Sequence, residues 1–231
     1  EIAILREKLA FCANHPKQKQ IPKQKDAGKE SSQVQASDTS TTATATVHNQ
    51  TKTVIFLSGN SGVGKSTLAK HALQEQSKGG LYVDGKFEFS SSKPYMGIQL
   101  ACGKVCGHIL WQLQFGKQDL ADNVCRDILS ELSTELDLLF QFLPVLHEIL
   151  DDYQSTIRTS ASTTGNTEDA KNRFHYIFCT FLRIVAKHFF PLVVVLDDLQ
   201  WADAASLDLL EVLIADQQTS ATNILLVSTF R

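Results

Sequence analysis

The sequence has little cysteine and proline, no long apolar run and no strong excess of either charge. Its five cysteines are odd in number and scattered, so they form no disulfide framework, and a reducing, cytoplasmic environment is expected. The apolar run at residues 192–196 ends at an aspartate pair, well short of the roughly 18 residues of a membrane-spanning helix. The formal net charge of −3 gives no reason to expect a membrane or nucleic acid as a partner.

The composition is otherwise that of an ordinary globular protein. With 231 residues, of which 43% are hydrophobic, the chain is long enough for one substantial core. It begins at Glu1 and ends with an apolar stretch and Arg231, so we expect a piece of a longer protein.

Two stretches have the composition of flexible segments, residues 15–50 and residues 155–167. Such segments carry too little apolar surface to offset the entropy lost on ordering. We therefore predict an N-terminal helix over residues 1–14, a flexible insertion over 15–50, and a core over 51–231 with a disordered loop near 155–167. The lysines between residues 17 and 29 are interpreted as a solvated linker, with a nuclear-localisation or nucleic-acid patch as the alternative.

Predicted strands and helices alternate along the core, which implies an α/β fold. We expect a doubly wound, mostly parallel sheet with helices on both faces, whose ligand lies at the carboxyl ends of the strands. Apolar runs predict strands at residues 52–58, 81–89, 192–196 and 224–229. Helical spacing predicts helices at residues 66–77, 95–115, 119–132, 135–153 with an interruption at Pro144, a helix beginning at Thr167, and 204–215.

The most informative stretch lies between the first of these strands and its helix. The stretch matches the Walker A pattern, which is a glycine, here Gly59, then four residues and then Gly64-Lys65-Ser66. It lies between a predicted strand and a predicted helix, which is the context that the pattern requires. Glycines let backbone amides approach phosphates at a helix N-terminus, Lys65 is expected to reach the β- and γ-phosphates, and Ser66 to ligate Mg²⁺. The alternative is a glycine-rich turn. The predicted nucleotide-binding residues are Gly59, Asn60, Ser61, Gly62, Val63, Gly64, Lys65, Ser66 and Thr67.

A second motif follows the apolar run at residues 192–196, where Asp197 and Asp198 match a Walker B element. Asp197 is predicted to hold Mg²⁺, directly or through water, and Asp198 to orient or polarise the attacking water. The alternative is a buried strand that ends in an acidic helix cap, since Asp203 can cap the next helix.

The stretch from Leu196 to Leu210, LDDLQWADAASLDLL, resembles the Walker B region of the STAND group of AAA-like ATPases, which are regulatory modules of large signalling proteins. The segment VDGKFE at residues 83–88 is similar to the second strand of that group, ILLVSTFR at residues 224–231 to its sensor-1 strand, and residues 1–9 to its first helix.

The resemblance implies a P-loop NTPase that binds ATP or ADP with Mg²⁺, hydrolyses ATP slowly and couples nucleotide state to homo-oligomerisation and to fused output domains. It assigns Arg231 as the sensor-1 arginine that reads the γ-phosphate and acts with Lys65 and Asp198 in catalysis; the alternative is a solvated charge. It places the last core strand and the helical lid beyond Arg231, so a C-terminal lid is expected to be absent. Adenine is favoured because no Asn-Lys-x-Asp guanine motif occurs.

Two other functions remain open on the sequence. A nucleotide-binding assembly module would hold ATP or ADP with little turnover, and a P-loop kinase would transfer the γ-phosphate to a small molecule. The aspartate pair favours water activation over the kinase. Cys102, Cys106 and His108 could be half of a metal site, with buried core cysteines as the competing interpretation.

Overall fold

The computed structural model describes residues 44–49, 52–74, 80–89, 93–151, 153, 167–216 and 223–231. The predicted helix at residues 1–14, the predicted insertion up to residue 43 and the predicted loop up to residue 166 lie outside these residues.

A five-stranded sheet forms the centre of the described fold, with the strand order β1-β2-β5-β4-β3. β1 pairs antiparallel with β2, and the other neighbours pair in parallel, which confirms the predicted mostly parallel sheet. The strands are β1 (Thr44–Asn49), β2 (Lys52–Ser58), β3 (Leu81–Lys86), β4 (Leu192–Asp197) and β5 (Ile224–Phe230).

Burial along the strands follows their place in the sheet. Every residue of β4 before Asp197 is buried, and so is every residue of β5 before Phe230, because both strands are covered on both faces. β3 alternates between buried residues and residues that are half-buried or, at Lys86, exposed, as expected for a strand at the edge of the sheet.

Helices cover both faces of the sheet, as the sequence predicts. A long connection between β3 and β4 contributes most of the helices on one face, and the helix between β2 and β3 lies on the other. The helices are α1 (Lys65–Leu73), α2 (Met96–Phe115), α3 (Gln118–Leu132), α4 (Leu136–Phe142), α5 (Val145–Leu150), α6 (Thr167–His188) and α7 (Ala204–Ala215).

Each face has its own apolar cluster. On the smaller side, Ala69, Ala72 and Leu73 of α1 pack on side chains of β2, β4 and β5. On the larger side, buried residues of α2 to α7 form a continuous core with the opposite face of the sheet. The three-layer α/β/α fold therefore matches the prediction.

β1 is an element that the sequence did not predict. It lies inside the stretch interpreted as a flexible insertion, yet its six residues pair with β2 from Thr44 opposite Leu57 to Asn49 opposite Lys52. An edge strand is defined by main-chain pairing, and a run rich in threonine and alanine carries little apolar signal for it.

Two element boundaries also differ from the prediction. The strand expected at residues 81–89 ends at Lys86. The helix expected at residues 135–153 is two helices, α4 and α5, that meet at Pro144. Proline has no backbone N–H for the helical hydrogen bond, so the chain turns there instead of continuing. None of the helices in the described ranges has both the length and the apolar composition to cross a membrane.

The contact of β3 with α2 predicts opposite effects for two glycine substitutions. A Cβ at Gly85 would overlap the carbonyl oxygen of Gly97, whereas a Cβ at Gly107, midway along α2, would meet no atom within 4 Å. Gly85→Ala should lower the free energy of unfolding by about 3 kcal/mol through overpacking. Gly107→Ala should raise it by roughly 0.5–1 kcal/mol, because alanine loses less backbone entropy in a helix. Urea unfolding of both variants measures the difference, and equal effects would contradict this packing.

Candidate functional site

The predicted phosphate-binding loop, residues 59–64, connects β2 to α1 and is called the glycine loop below. Gly62 has φ 81° and Gly64 has φ 89°, in the left-handed region that glycine enters without strain. A Cβ on either residue would meet nothing within 4 Å, so backbone conformation and not lack of space requires glycine there. Val63 is 47% exposed, so the loop lies open to solvent.

Lys65 is the first residue of α1 and lies folded back over the glycine loop. Its side chain is buried, and its Nζ donates to the carbonyl oxygens of Gly59, at 2.8 Å, and Asn60, at 3.0 Å. The ammonium group is therefore held at the loop, close to the N-terminus of α1, where the positive end of the helix dipole lies. Ser66 and Thr67 follow it as exposed residues of the first helical turn.

Asp197, the last residue of β4, receives hydrogen bonds from two other elements. The hydroxyl of Ser66 donates to its Oδ1 at 2.6 Å, and the hydroxyl of Thr229 donates to the same oxygen. The strand register explains the contact with Thr229, since Leu196 pairs with Ser228 in parallel and the next residues are therefore neighbours. The structure thus brings the two predicted Mg²⁺ ligands, Ser66 and Asp197, into contact.

Asp198 has an unusual backbone conformation and a contact at each of its side-chain oxygens. Its φ of 58° and ψ of 47° are left-handed, which is uncommon for a residue other than glycine. Its backbone N–H donates to Oγ1 of Thr229 at 3.1 Å. Oδ1 accepts a hydrogen bond of 2.9 Å from Nε2 of Gln200, and Oδ2 lies 3.3 Å from Nζ of Lys86. Asp198 is therefore held from three sides.

Arg231 lies at the same edge of the sheet, directly after β5. Its backbone N–H donates to Oε1 of Gln200 at 3.2 Å, and its side chain is exposed. Every residue predicted for the site is therefore at the carboxyl edge of the sheet or in the adjoining glycine loop and first turn of α1.

Three residues at this edge were not predicted as site residues: Lys86, Gln200 and Thr229. Lys86 pairs with Asp197, and the pairing of Leu196 with Ser228 puts Thr229 next to Asp197, so both unpredicted strand residues lie beside the aspartate pair. Both could have been proposed as site residues from the sequence, because each is a polar residue at the carboxyl end of a predicted parallel strand. Gln200 has no such signal, because its contacts depend on a short 3-10 turn at Leu199–Trp201.

Asp203 connects the site to the helical layer. It caps α7 by accepting the backbone N–H of Ser206 at 2.9 Å, and its Oδ2 also accepts the backbone N–H of Tyr95, just before α2, at 3.1 Å. Burial raises the pKa of the Asp203 carboxyl, but the hydrogen bonds from Ser206 and Tyr95 outweigh it and leave the pKa below its ordinary value. The helix cap that the alternative interpretation assigned to Asp203 is present.

Tyr82, in β3, has a raised pKa. Burial, together with the negative charges of Asp84 and Asp197, raises the pKa of Tyr82 to about 12. Tyr82 therefore stays neutral at physiological pH.

The cysteines considered as a metal half-site lie in the core. Cys102 and Cys106 are buried in α2 and free, and burial raises the pKa of both thiols. Across the residues with assigned positions, no cluster of three or more His, Cys, Asp or Glu side chains is arranged to hold a metal. Both cysteines are packing residues of the larger apolar cluster.

Comparison with known proteins identifies a family. The family model for the AAA ATPase domain matches residues 41–227. The chain is also 30% identical over 166 residues to hybrid signal transduction histidine kinase G of Dictyostelium discoideum. That alignment covers 70% of this chain but 4% of the relative, so the chain spans a small part of the relative's length. No solved structure matches the chain significantly.

The two neighbouring hydroxyls at the end of β5 provide a matched test of the contacts around Asp197. Thr229→Val keeps the side-chain shape but leaves the N–H of Asp198 without its acceptor, which should lower the free energy of unfolding by about 1–3 kcal/mol. Ser228→Ala should cause no loss, because the buried Oγ of Ser228 has no hydrogen-bond partner. Chemical denaturation of both variants measures the difference. If Ser228→Ala lowers the free energy of unfolding as much as Thr229→Val does, the hydrogen bonds assigned to Thr229 are wrong.

Proposed function

Because the chain belongs to the AAA ATPase domain family, we propose that it binds Mg²⁺ and ATP at the carboxyl edge of its sheet and hydrolyses ATP as a nucleotide-dependent switch. The observation that carries the proposal is the 2.6 Å hydrogen bond between Ser66 and Asp197. It joins the helix after the glycine loop to the end of β4, which are the two halves of a Mg-nucleotide site.

The glycine loop and Lys65 bind the phosphates in this proposal. The backbone amides of the loop and of the first turn of α1 offer hydrogen-bond donors next to the positive end of the helix dipole. Lys65 has three N–H donors, and the carbonyls of Gly59 and Asn60 accept two of them. Its position at the loop lets the ammonium group exchange these carbonyls for phosphate oxygens.

The oxygen atoms of Ser66 and Asp197 fit Mg²⁺. Mg²⁺ prefers oxygen ligands and is usually held by one or two protein groups together with substrate phosphates. Ser66 and Asp197 supply such a pair in direct contact. When bound, Mg²⁺ would neutralise phosphate charge during transfer to water. Thr229 keeps the Asp197 carboxylate oriented through its own hydrogen bond.

Asp198 orients the attacking water, and the exposed side chain of Arg231 contacts the terminal phosphate. The Lys86 ammonium and the Gln200 amide occupy both oxygens of the Asp198 carboxylate. Each oxygen keeps a second lone pair, so water can bind Asp198 only from the direction that these two contacts leave open. This restriction supports slow turnover, as suits a switch that persists in one nucleotide state.

The same contacts favour a second candidate function, a nucleotide-binding assembly module with little or no turnover. If Lys86 and Gln200 hold the Asp198 carboxylate away from the attacking water in every nucleotide state, ATP binding is the functional event and hydrolysis is incidental. The two candidates differ in whether the Asp198 carboxylate can turn toward that water.

The signalling role rests on the relative from Dictyostelium discoideum, a hybrid signal transduction histidine kinase. We propose that this module likewise belongs to an intracellular signalling protein, with fused output domains and nucleotide-dependent homo-oligomerisation. The free state of Cys102, Cys106, Cys125 and Cys179 agrees with a reducing environment.

Two substitutions separate nucleotide binding from hydrolysis. Lys65→Ala should weaken ATP binding at least about tenfold, because a hydrogen bond to a charged group contributes roughly 1.5–3 kcal/mol. Asp198→Asn should keep binding and reduce phosphate release about 100-fold, the lower range for removal of general-base assistance. Titration with a fluorescent ATP analogue and a phosphate-release assay measure the two effects.

Lys70→Ala is the matched control, since Lys70 is an exposed lysine of the same helix. Unchanged ATP binding in Lys65→Ala would overturn the assignment of the phosphate site. Equal phosphate release in Asp198→Asn and the parent would remove Asp198 from catalysis. A parent chain that binds ATP and releases no phosphate would select the assembly module.

A further inference from the structure

Gln200 is the one side chain that contacts both Asp198 and Arg231 among the hydrogen bonds of the described residues. Its Nε2 donates to Oδ1 of Asp198 at 2.9 Å, and its Oε1 accepts the backbone N–H of Arg231 at 3.2 Å. A single amide group therefore uses its donor on the residue proposed to orient water and its acceptor on the residue proposed to contact phosphate.

Gln200 and Arg231 are 31 residues apart in sequence, so their hydrogen bond joins two distant parts of the chain. Asp198 follows β4 and Arg231 follows β5, and both strands are buried and paired, so their ends have little freedom. The residues just beyond the strand ends are less constrained: the side chain of Arg231 is exposed, and Gln200 lies in a short 3-10 turn. Movement at this edge is therefore expected beyond the strands.

We propose that Gln200 is a positioning residue that couples Arg231 to Asp198, so that contact of Arg231 with a terminal phosphate changes how the Asp198 carboxylate is held. The inference rests on the proposed nucleotide site. The planar amide fixes the direction of its donor relative to its acceptor. A shift of the Arg231 backbone therefore either breaks the bond to Oε1 or turns the amide, and both change the donor offered to Asp198.

The remaining contacts of Asp198 make this coupling selective. Its backbone N–H is held by Thr229, and its Oδ2 by the ion pair with Lys86, whose side chain is 57% exposed. Neither partner contacts Arg231 among the described hydrogen bonds and ion pairs. Among these partners of Asp198, Gln200 is the one whose side chain is hydrogen-bonded to Arg231, so its loss should remove this coupling without removing the nucleotide site.

Trp201 provides a reporter at the next residue. The residue is 36% exposed, and its ring packs edge-to-face on Phe89 with ring centroids 4.6 Å apart, so movement of the turn changes the surroundings of the ring. The second of the two tryptophans of the sequence, Trp111, lies in α2 next to His108. Trp111→Phe leaves Trp201 as the single fluorescent indole.

The test compares nucleotides in the Trp111→Phe chain with Mg²⁺ present. ADP and the non-hydrolysable analogue adenosine 5′-(β,γ-imido)triphosphate should give different Trp201 emission. Gln200→Ala should abolish that difference, while the chain still folds and still binds both nucleotides. Gln200→Glu keeps the reach and the acceptor for Arg231 but loses the donor to Asp198, so it should also abolish the difference. Gln141→Ala, at an exposed glutamine of α4, is the control and should retain it.

The possible results separate a failure of the proposed nucleotide binding from a failure of the proposed role of Gln200. A parent chain that binds neither nucleotide overturns the proposed function and this inference with it. Nucleotide binding with identical Trp201 emission in both states overturns the inference alone. A full emission difference in Gln200→Ala or Gln200→Glu does the same. If Gln200→Ala fails to fold, Gln200→Glu supplies the decision.

Discussion

The hydrogen bonds to the carboxylate of Asp197 are the interaction on which the candidate site depends. Ser66 at the start of α1 and Thr229 at the end of β5 both donate to Oδ1, so three elements that are distant in sequence meet at one atom. Hydrogen bonds to an ionised carboxylate are about twice as strong as those between neutral groups. The parallel register of β4 and β5 puts Thr229 beside Asp197, and the glycine loop then sets the place of Ser66.

The local parts of this arrangement could be predicted from the sequence, and the partners across strands could not. The glycine loop and the aspartate pair are short motifs whose residue types follow from phosphate and Mg²⁺ chemistry. Lys86 and Thr229 act through strand register, which is a long-range property. Gln200 acts through a 3-10 turn whose direction follows from the left-handed backbone of Asp198. The sequence gives the residue types of these three side chains, but it does not show which residues they contact.

The fold was predicted best where burial sets the pattern. The helix α7 has its predicted bounds and β4 extends one residue beyond its predicted end, because a fully buried strand and a helix with an N-terminal aspartate cap leave clear signals in the sequence. β1 was missed because an edge strand needs only main-chain pairing with β2. Such a strand does not require apolar residues, so composition alone classified it with the flexible stretch around it.

Asp203 links the site to the helical layer through its hydrogen bonds to Ser206 and Tyr95. The Asp198 turn leads directly to Asp203, which holds both α7 and the residue before α2, and Tyr95 packs on the rings of Phe142 and Phe174. A displacement of the turn therefore reaches the N-termini of two helices and an aromatic cluster within a few residues. Packed cores respond to such displacements by changing between discrete arrangements and not by gradual deformation. The proposed switch therefore requires only the turn between β4 and α7 to adopt two positions.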